Sequence, residues 1–404
     1  MRAMDSAPVA GDSGADRINY TQPIVAGVLA AVVGYASSFT LVLAGLANVG
    51  ATPAQAGSGL LSVCAAVAVL NFVVALRTRV PISFAWSTPG AAFLLAVGAP
   101  EGGFAAVTGA FLMTAALVVL AGLWRSFARA VAAIPSAIAN AMLAGILLTL
   151  CLAPLKAVEA MPMLALPVIL TWALALRFAR RYAVPLAVLV TGVVLALTVK
   201  LPPGALDGSW PMLVPVMPSF TLDAFLRITL PLFVITMASQ NLPGLAVMKS
   251  NGFRLDPTGP FLLTGLGSVV SAVFGGHTIN LAAITAAICA GPEAHPDPKH
   301  RWPAPVAAGV TYLALALSAN LAAAFVIASP PLLIQAVAGL ALFSSLAGAL
   351  ATSLASDDER LPAILTFVTA ASGITILGIG AAFWGVLAGI TLMLLLRWQR
   401  TKRA

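Results

Sequence analysis

Two short stretches hold the residues best placed to do chemistry. One reads FGGHTINLAAITAAICAGPEAHPDP, Phe274 to Pro298; the other reads PISFAWSTPGAAFLLAVGA, Pro81 to Ala99. Each starts with polar or β-prone residues, gives a helix-start signal, and then runs apolar for too few residues to cross a bilayer as a helix. In the second stretch Thr88 suits an N-cap, with Pro89 at the first helical position. In the first, Asn280 suits an N-cap ahead of Leu281. Val80–Trp86 and Thr278–Asn280 are free to go extended. The expectation is two half-helices whose N-termini lie inside the membrane. A helix N-terminus presents unpaired N–H groups and a partial positive charge, so two of them facing one cavity bind an anion without lysine or arginine. The plainer reading of either stretch alone is a kinked packing helix; its occurrence in two corresponding places favours a binding site.

The other polar groups inside apolar segments are few. GYASSFT brings Tyr35, Ser37, Ser38 and Thr40, and TMASQNLPG brings Thr236, Ser239, Gln240 and Asn241 ahead of Pro243 and Gly244. Single hydroxyls in membrane helices mostly bond to their own backbone or join helices. Adjacent amides are costlier to bury, so Gln240 and Asn241 read as site or pore-lining residues. Asn140 and Gln335 read as glue between helices. His277 is the one histidine within an apolar segment, and imidazole titrates near neutrality, so it reads either as a proton carrier or as a peg for the broken backbone. All 13 acidic residues fall in the tail, in loops or at segment ends. Glu293 comes nearest to a segment, and a loop role, capping or pairing with Lys299, is its simpler reading. Cys64, Cys151 and Cys289 lie in apolar runs with no pairing or zinc-site spacing, which suggests inert buried thiols and no metal.

The elements that must position these groups follow from composition. Of 404 residues, 60% are hydrophobic and 8% charged, with a mean hydropathy of +1.02. A soluble surface of this size needs roughly a quarter of its residues charged. Runs of about 20 apolar residues, rather than short alternating ones, select helices over a barrel. Residues 1–20 are polar, with no signal-peptide pattern, and read as a disordered tail; 399–404 form a second tail. Fourteen segments are expected: Ile24–Asn48, Ala54–Leu76, Pro81–Gly98, Phe104–Trp124, Ala130–Ala153, Ala157–Leu176, Ala183–Val199, Ala224–Met248, Pro260–Val273, Gly275–Gly291, Pro305–Ala328, Pro331–Ala355, Pro362–Leu377 and Ala381–Trp398. With the N-terminus in the cytoplasm, the inner loops collect most lysines and arginines, from Arg77 and Arg79 through Lys249, Arg254, Lys299, Arg301 and Arg360 to Arg403. The outer side then holds Lys156, Lys200 and, at a segment end, Arg227. That asymmetry places both termini in the cytoplasm, and it accounts for the net charge of +8 without nucleic acid. Seven segments per half invert the second half relative to the first, a transporter architecture.

At QNLPGLAVMKSNGF, Gln240–Phe253, at FGGHTINLAAITAAICAGPEAHPD, Phe274–Asp297, and at PISFAWSTPGAA, Pro81–Ala92, the chain resembles the benzoate/proton symporter (BenE-type) family. The resemblance covers nearly everything beyond the first 20 residues. It implies an all-helical fold of fourteen spans in two inverted repeats, shared with nucleobase permeases and sulfate-type anion transporters. It also implies a core domain, 21–129 with 223–329, moving against a gate domain, 130–222 with 330–398, and dimerisation through the gate. Substrate would sit between the half-helices of segments three and ten, beside segments one and eight. The nucleobase branch characteristically carries carboxylates in segments eight and ten; this chain has amides, hydroxyls and His277 there. A carboxylate would repel an anionic ligand in a low dielectric.

The expected function is therefore import of benzoate or a related aromatic carboxylate with a proton, across a bacterial cytoplasmic membrane and without a cofactor. The expected site comprises Thr88, Asn280 and Leu281 at the carboxylate, with Ser87, Gln240, Asn241, His277 and Thr278 as hydrogen-bonding groups and Tyr35, Phe84 and Trp86 along the ring. His277 and Glu293 are the proton-coupling candidates. The alternatives are a proton-coupled nucleobase permease and an uncoupled anion channel. No metal cluster, nucleophile–base pair or phosphate loop suggests an enzyme.

Overall fold

The computed structural model describes residues 20–124, 126, 135–198, 210–376 and 379–401. Most of the expected 1–20 tail, the start of the fifth segment, Val199 and Leu377 lie outside the described residues. The described chain is mostly helix. Six runs are long and apolar enough to cross a membrane: α1 (Thr21–Asn48), α2 (Pro53–Thr78), α4 (Gly103–Leu123), Ser136–Ala160, α9 (Leu222–Ser250) and α14 (Pro331–Ser353). At 1.5 Å per residue, the 28 residues of α1 reach about 42 Å.

The third segment is a strand, β1 (Phe84–Trp86), followed by the ten-residue α3 (Thr88–Val97). At about 15 Å, α3 crosses half of a typical hydrocarbon core. Ser136–Ala160 divides at Leu152 into α5 (Ser136–Cys151) and α6 (Ala153–Ala160); α7 (Pro162–Phe178) and α8 (Ala183–Thr198) follow. The expected sixth segment thus starts with Pro162 rather than Ala157. After α9 come α10 (Thr258–Ala272), the strand β2 (Ile279–Leu281) and α11 (Ile284–Ala290). The eleventh segment divides into α12 (Pro303–Ala316) and α13 (Ala319–Ala328). α15 (Asp357–Ala371) and α16 (Ala381–Thr401) complete the chain, with short paired strands β3 (Thr375–Ile376) and β4 (Ile379–Gly380) between them. The thirteenth segment was expected to stay helical to Leu377. The helix instead stops at Ala371, and Gly373 takes a left-handed φ of +66°, which glycine adopts without steric penalty.

Helix α9 contains two π turns, Phe225–Thr229 and Met237–Asn241. In each, the wide bond is donated by the residue just before a proline: Leu230 N–H to the Phe225 carbonyl ahead of Pro231, and Leu242 N–H to the Met237 carbonyl ahead of Pro243. A helical proline gives no donor and its ring crowds the carbonyl four residues back, so the preceding turn widens.

The feature that organises the interior is the pairing of β1 with β2. They run antiparallel, with Phe84 opposite Leu281, Ala85 opposite Asn280 and Trp86 opposite Ile279. The ladder continues at both ends, Ala282 N–H to the Ser83 carbonyl (2.9 Å) and Ser87 N–H to the Thr278 carbonyl (3.0 Å). Buried outward-facing backbone groups need partners other than the paired strand, and side chains take several of them. Asn71 of α2 bridges Phe84, accepting its N–H at 2.9 Å and donating to its carbonyl at 2.8 Å. Ser268 of α10 accepts the Ile279 N–H at 2.8 Å, and Asn241 of α9 accepts the Leu281 N–H at 2.8 Å. By contrast Asn140, expected between helices, donates to the Ser136 carbonyl of its own helix.

Replacing Asn71 by alanine leaves two buried backbone groups of Phe84 unpaired, at about 1–3 kcal/mol each. Asn71→Ala is therefore expected to lower the melting temperature of the detergent-solubilised protein by several times the change from Asn140→Ala. Equal melting of the two variants would mean that Asn71 does not hold the strand.

Candidate functional site

The two strands hand over to the two short helices at one place, and a polar network ties that place together. Ser87 is the N-cap of α3: its hydroxyl accepts the Gly90 N–H at 3.1 Å. Thr236 of α9 bridges the Ser87 and Thr278 hydroxyls, each at 3.2 Å. The His277 ring reaches the Ser87 carbonyl through Nε2 at 3.1 Å. A carbonyl only accepts, so Nε2 carries the proton and the neutral ring leaves Nδ1 as an acceptor. That Nδ1 is buried with no hydrogen-bond partner.

Both expected N-caps are corrected. Thr88 is the first helical residue, and Ser87 caps. Asn280 lies inside β2; its amide donates to the Leu281 carbonyl at 2.7 Å and its Oδ1 is buried without a partner. The ladder holds the chain extended through Ala282, so α11 begins at Ile284, with Ala283 as its uncapped first flank. The correction changes what α3 offers a ligand. Pro89 has no N–H and Gly90 is taken by Ser87, which leaves Thr88 with its N–H and hydroxyl.

Beside Thr88 lies a cavity of about 120 Å³. It is lined from α1 by Ser37 and Ser38, from the third segment by Trp86, Thr88 and Pro89, and from α9 by Gln240. Ala283, Thr285 and Ile288 line it around α11, Tyr312 from α12, and Ala341 and Ser345 from α14. The second π turn places Gln240 at the cavity and Asn241 on β2. Gly244, one turn on, permits that approach: a Cβ there would stand 2.7 Å from the Leu281 Cβ. Of the expected residues the cavity gathers Trp86, Thr88 and Gln240. Phe84, Ser87, Asn241, His277, Thr278, Asn280 and Leu281 are buried in the layer behind it, around the strand pair.

Tyr35 is also behind the wall, stacked on Phe39 with centroids 5.2 Å apart and its hydroxyl 3.3 Å from that of Ser318. Trp86 meets Tyr35 and Tyr312 edge-on, at 6.2 and 5.4 Å, and its indole N–H donates to Ser38 at 2.9 Å. The side chains of Thr88, Gln240, Thr285 and Ser345 have no protein hydrogen-bond partner among the described residues. No Asp, Glu, Lys or Arg lines the cavity among the described residues. It therefore offers neutral hydrogen-bonding groups together with the indole of Trp86 and the phenol of Tyr312, a lining suited to a small anion with an aromatic body.

Glu293 lies exposed in the turn beyond α11; its backbone carbonyl accepts from Gln22, and its carboxylate forms no ion pair among the described residues. Lys299 instead uses its N–H on Asp297, at 2.9 Å. The loop is organised by Arg301, which donates to the carbonyls of His295, Ala290 and Pro296 at 2.7, 2.8 and 3.0 Å. Ala290 ends α11, so the guanidinium also complements the negative end of that helix. Sequence reading counted Arg301 only as a loop charge. It also passed over Asn71, Ser268, Thr285, Tyr312 and Ser345, whose signal is a lone polar group in an apolar helix, shared with many residues that only pack. The three cysteines are free and buried, and no metal-binding group occurs among the described residues.

Known proteins resemble this chain over nearly its full length. The transmembrane domain of a cyanobacterial bicarbonate transporter, BicA, superposes with a TM-score of 0.57 over 92% of this chain and 97% of its own, at 17% identity. That identity level speaks for the fold alone. The inner membrane protein YdcO of Escherichia coli is 39% identical over 91% of this chain and 93% of its own length. A benzoate membrane transport protein of Acinetobacter baylyi is 29% identical over 91% and 93%. Residues 19–395 match the family described as benzoate membrane transport protein, BenE. The chain is a multi-pass membrane transporter that belongs to the benzoate membrane transport family.

Proposed function

We propose that the protein imports benzoate, or a closely related aromatic carboxylate, together with a proton. The observation that carries this reading is the uncharged cavity where β1, β2 and α3 meet. The carboxylate accepts hydrogen bonds from Thr88 N–H and hydroxyl and from the Gln240 amide, with Thr285 and Ser345 in reach of the same cavity. The ring lies against Trp86 and Tyr312. The absence of a lining carboxylate among the described residues is what an anionic ligand requires and what separates this cavity from a nucleobase site.

The proton has an energetic reason. An anion entering a negative-inside cell is opposed by about 2.3 kcal/mol per 100 mV, and one proton makes the step electroneutral. We place that proton at His277 Nδ1, the buried acceptor without a partner, rather than at exposed Glu293. His277 touches Ser87 rather than the cavity, so it acts through the backbone of the α3 cap.

The architecture we propose is fourteen spans in two inverted repeats, the core 21–129 and 223–329 rocking against the gate 130–222 and 330–398. Support comes from the strand pair. A two-fold axis in the membrane plane brings equivalent strands together antiparallel, and β1 and β2 pair so. Their clamps come from helices in matching places, Asn71 of α2 before β1 and Ser268 of α10 before β2. By loop charge both termini face the cytoplasm of a bacterial cell, and a homodimer through the gate completes the reading.

Benzoate is expected to raise the melting temperature of the purified protein saturably, because a ligand of the folded state stabilises it by RT ln(1 + [L]/Kd); uracil and sulfate are expected not to. Gln240→Ala should weaken benzoate roughly tenfold, the worth of one hydrogen bond to a charged group, with little change in the unliganded melting temperature. A shift with uracil and none with benzoate would overturn the substrate assignment. His277→Gln keeps a donor for the Ser87 carbonyl and removes the titrating nitrogen. It is expected to bind benzoate normally in detergent and to lose protein-dependent, benzoate-driven proton uptake in liposomes. Proton uptake at the wild-type rate would remove His277 as the carrier.

A further inference from the structure

A second cavity, of about 330 Å³, sits at the opposite end of α3 from Thr88. It shares three helices with the central cavity. On α3 it touches Phe93 where the central one touches Pro89; on α9, Arg227 and Pro231 against Gln240; on α14, Gln335 against Ala341. These offsets of four, nine and six residues correspond to about 6, 14 and 9 Å of helix. The two cavities therefore lie in line along the same helices.

The second cavity differs from the first in one respect that matters: it holds a cation. Arg227 is the charged residue lining it among the described residues. Its guanidinium is only loosely held. Nη1 stands 3.6 Å from Asp223 Oδ2, and Nε is buried with no partner. Asp223 is shared, since the same oxygen accepts the Glu101 N–H at 3.2 Å. Gln335, expected as interhelical glue, lines the cavity with no hydrogen-bond partner among the described residues. Phe93, Pro231 and Phe383 supply apolar walls.

We propose that this vestibule is a second binding site for a small aromatic carboxylate. Arg227 and Gln335 take the carboxylate, and Phe93 and Phe383 flank the ring. The site collects the anion at the face opposite the chain's N-terminus and passes it along α3 to the uncharged central cavity. A guanidinium charge held by one long contact to Asp223 attracts an anion from solution, as the neutral inner site cannot. The inference rests on the aromatic-carboxylate reading above for the identity of its ligand.

Equilibrium dialysis of radiolabelled benzoate against the purified full chain tests it. The wild type is expected to bind two benzoates per chain. Arg227→Gln should remove one of them, weakening it roughly tenfold or more, and spare the Gln240-dependent site. Asp223→Asn frees the guanidinium and is expected to tighten the Arg227-dependent site several-fold, a gain that a folding defect cannot imitate. Saturation at one benzoate that depends on Gln240 alone, or two sites untouched by Arg227→Gln, would overturn the vestibule and leave the central reading standing. One benzoate that depends on Arg227 and not on Gln240 would support the vestibule and overturn the central reading.

Discussion

A two-stranded sheet has two open edges, and inside an apolar helix bundle no water covers them. That constraint governs the interior of this protein. Six residues in β1 and β2 leave the helical state, so their N–H and C=O groups need partners that an α-helix would have supplied itself. Part of the need is met by pairing the strands with each other. Outward-facing groups of Phe84, Ile279 and Leu281 fall to Asn71, Ser268 and Asn241, each carried by a different helix. Polar residues that look isolated in sequence are thus the edges of one small sheet. Removing any of them exposes backbone to an environment that cannot hydrogen-bond it.

The strand pair also decides what the site can recognise. Extended chain ends at Ser87 on one side and Ala282 on the other, and α3 and α11 start from there. Ser87 spends its hydroxyl on the Gly90 N–H and its carbonyl on His277, so it is a framework residue. The groups left over are Thr88, Gln240, Thr285 and Ser345, all neutral. A cavity of neutral donors tolerates an anion and gives a cation no counter-charge. In the proposed reading its specificity would come from the orientation of a few dipoles and from the rings of Trp86 and Tyr312 that line it. His277 is joined to the same cap, so in the proposed coupling a charge on its ring and a charge in the cavity would sit on either side of Ser87.

Much of this was legible in the sequence, for physical reasons. Long apolar runs dictate helices, and a short polar or β-prone stretch followed by too few apolar residues points to a half-helix, so the third and tenth segments stood out. Gln240 and Trp86 could be named because large polar or amphipathic groups are conspicuous in an apolar context. The caps were misplaced by one residue at Thr88 and by three at Asn280, because a cap preference is local whereas the ladder that overrode it joins residues about 200 apart in the chain. The same distance hid Asn71: nothing near it in sequence shows that it faces Phe84. Thr285, Tyr312 and Ser345 were missed because a hydroxyl in a helix has the same signature whether it faces a cavity or its own carbonyl. The split of the thirteenth segment at Gly373 depended on a backbone angle that glycine permits without announcing.

The central claim is that an aromatic carboxylate sits at the N-terminus of α3, held by Thr88 and Gln240. The most direct test is a distance measurement by solid-state magnetic resonance, between carboxyl-labelled ¹³C-benzoate and ¹⁵N-threonine or ¹⁵N-glutamine protein in lipid, with Thr88→Val and Gln240→Leu variants assigning the signals. The account predicts a carboxyl carbon within about 4 Å of both the Thr88 amide and the Gln240 side-chain nitrogen, as direct hydrogen bonds require. A bound benzoate whose carboxyl group shows no dephasing from either nitrogen would contradict it.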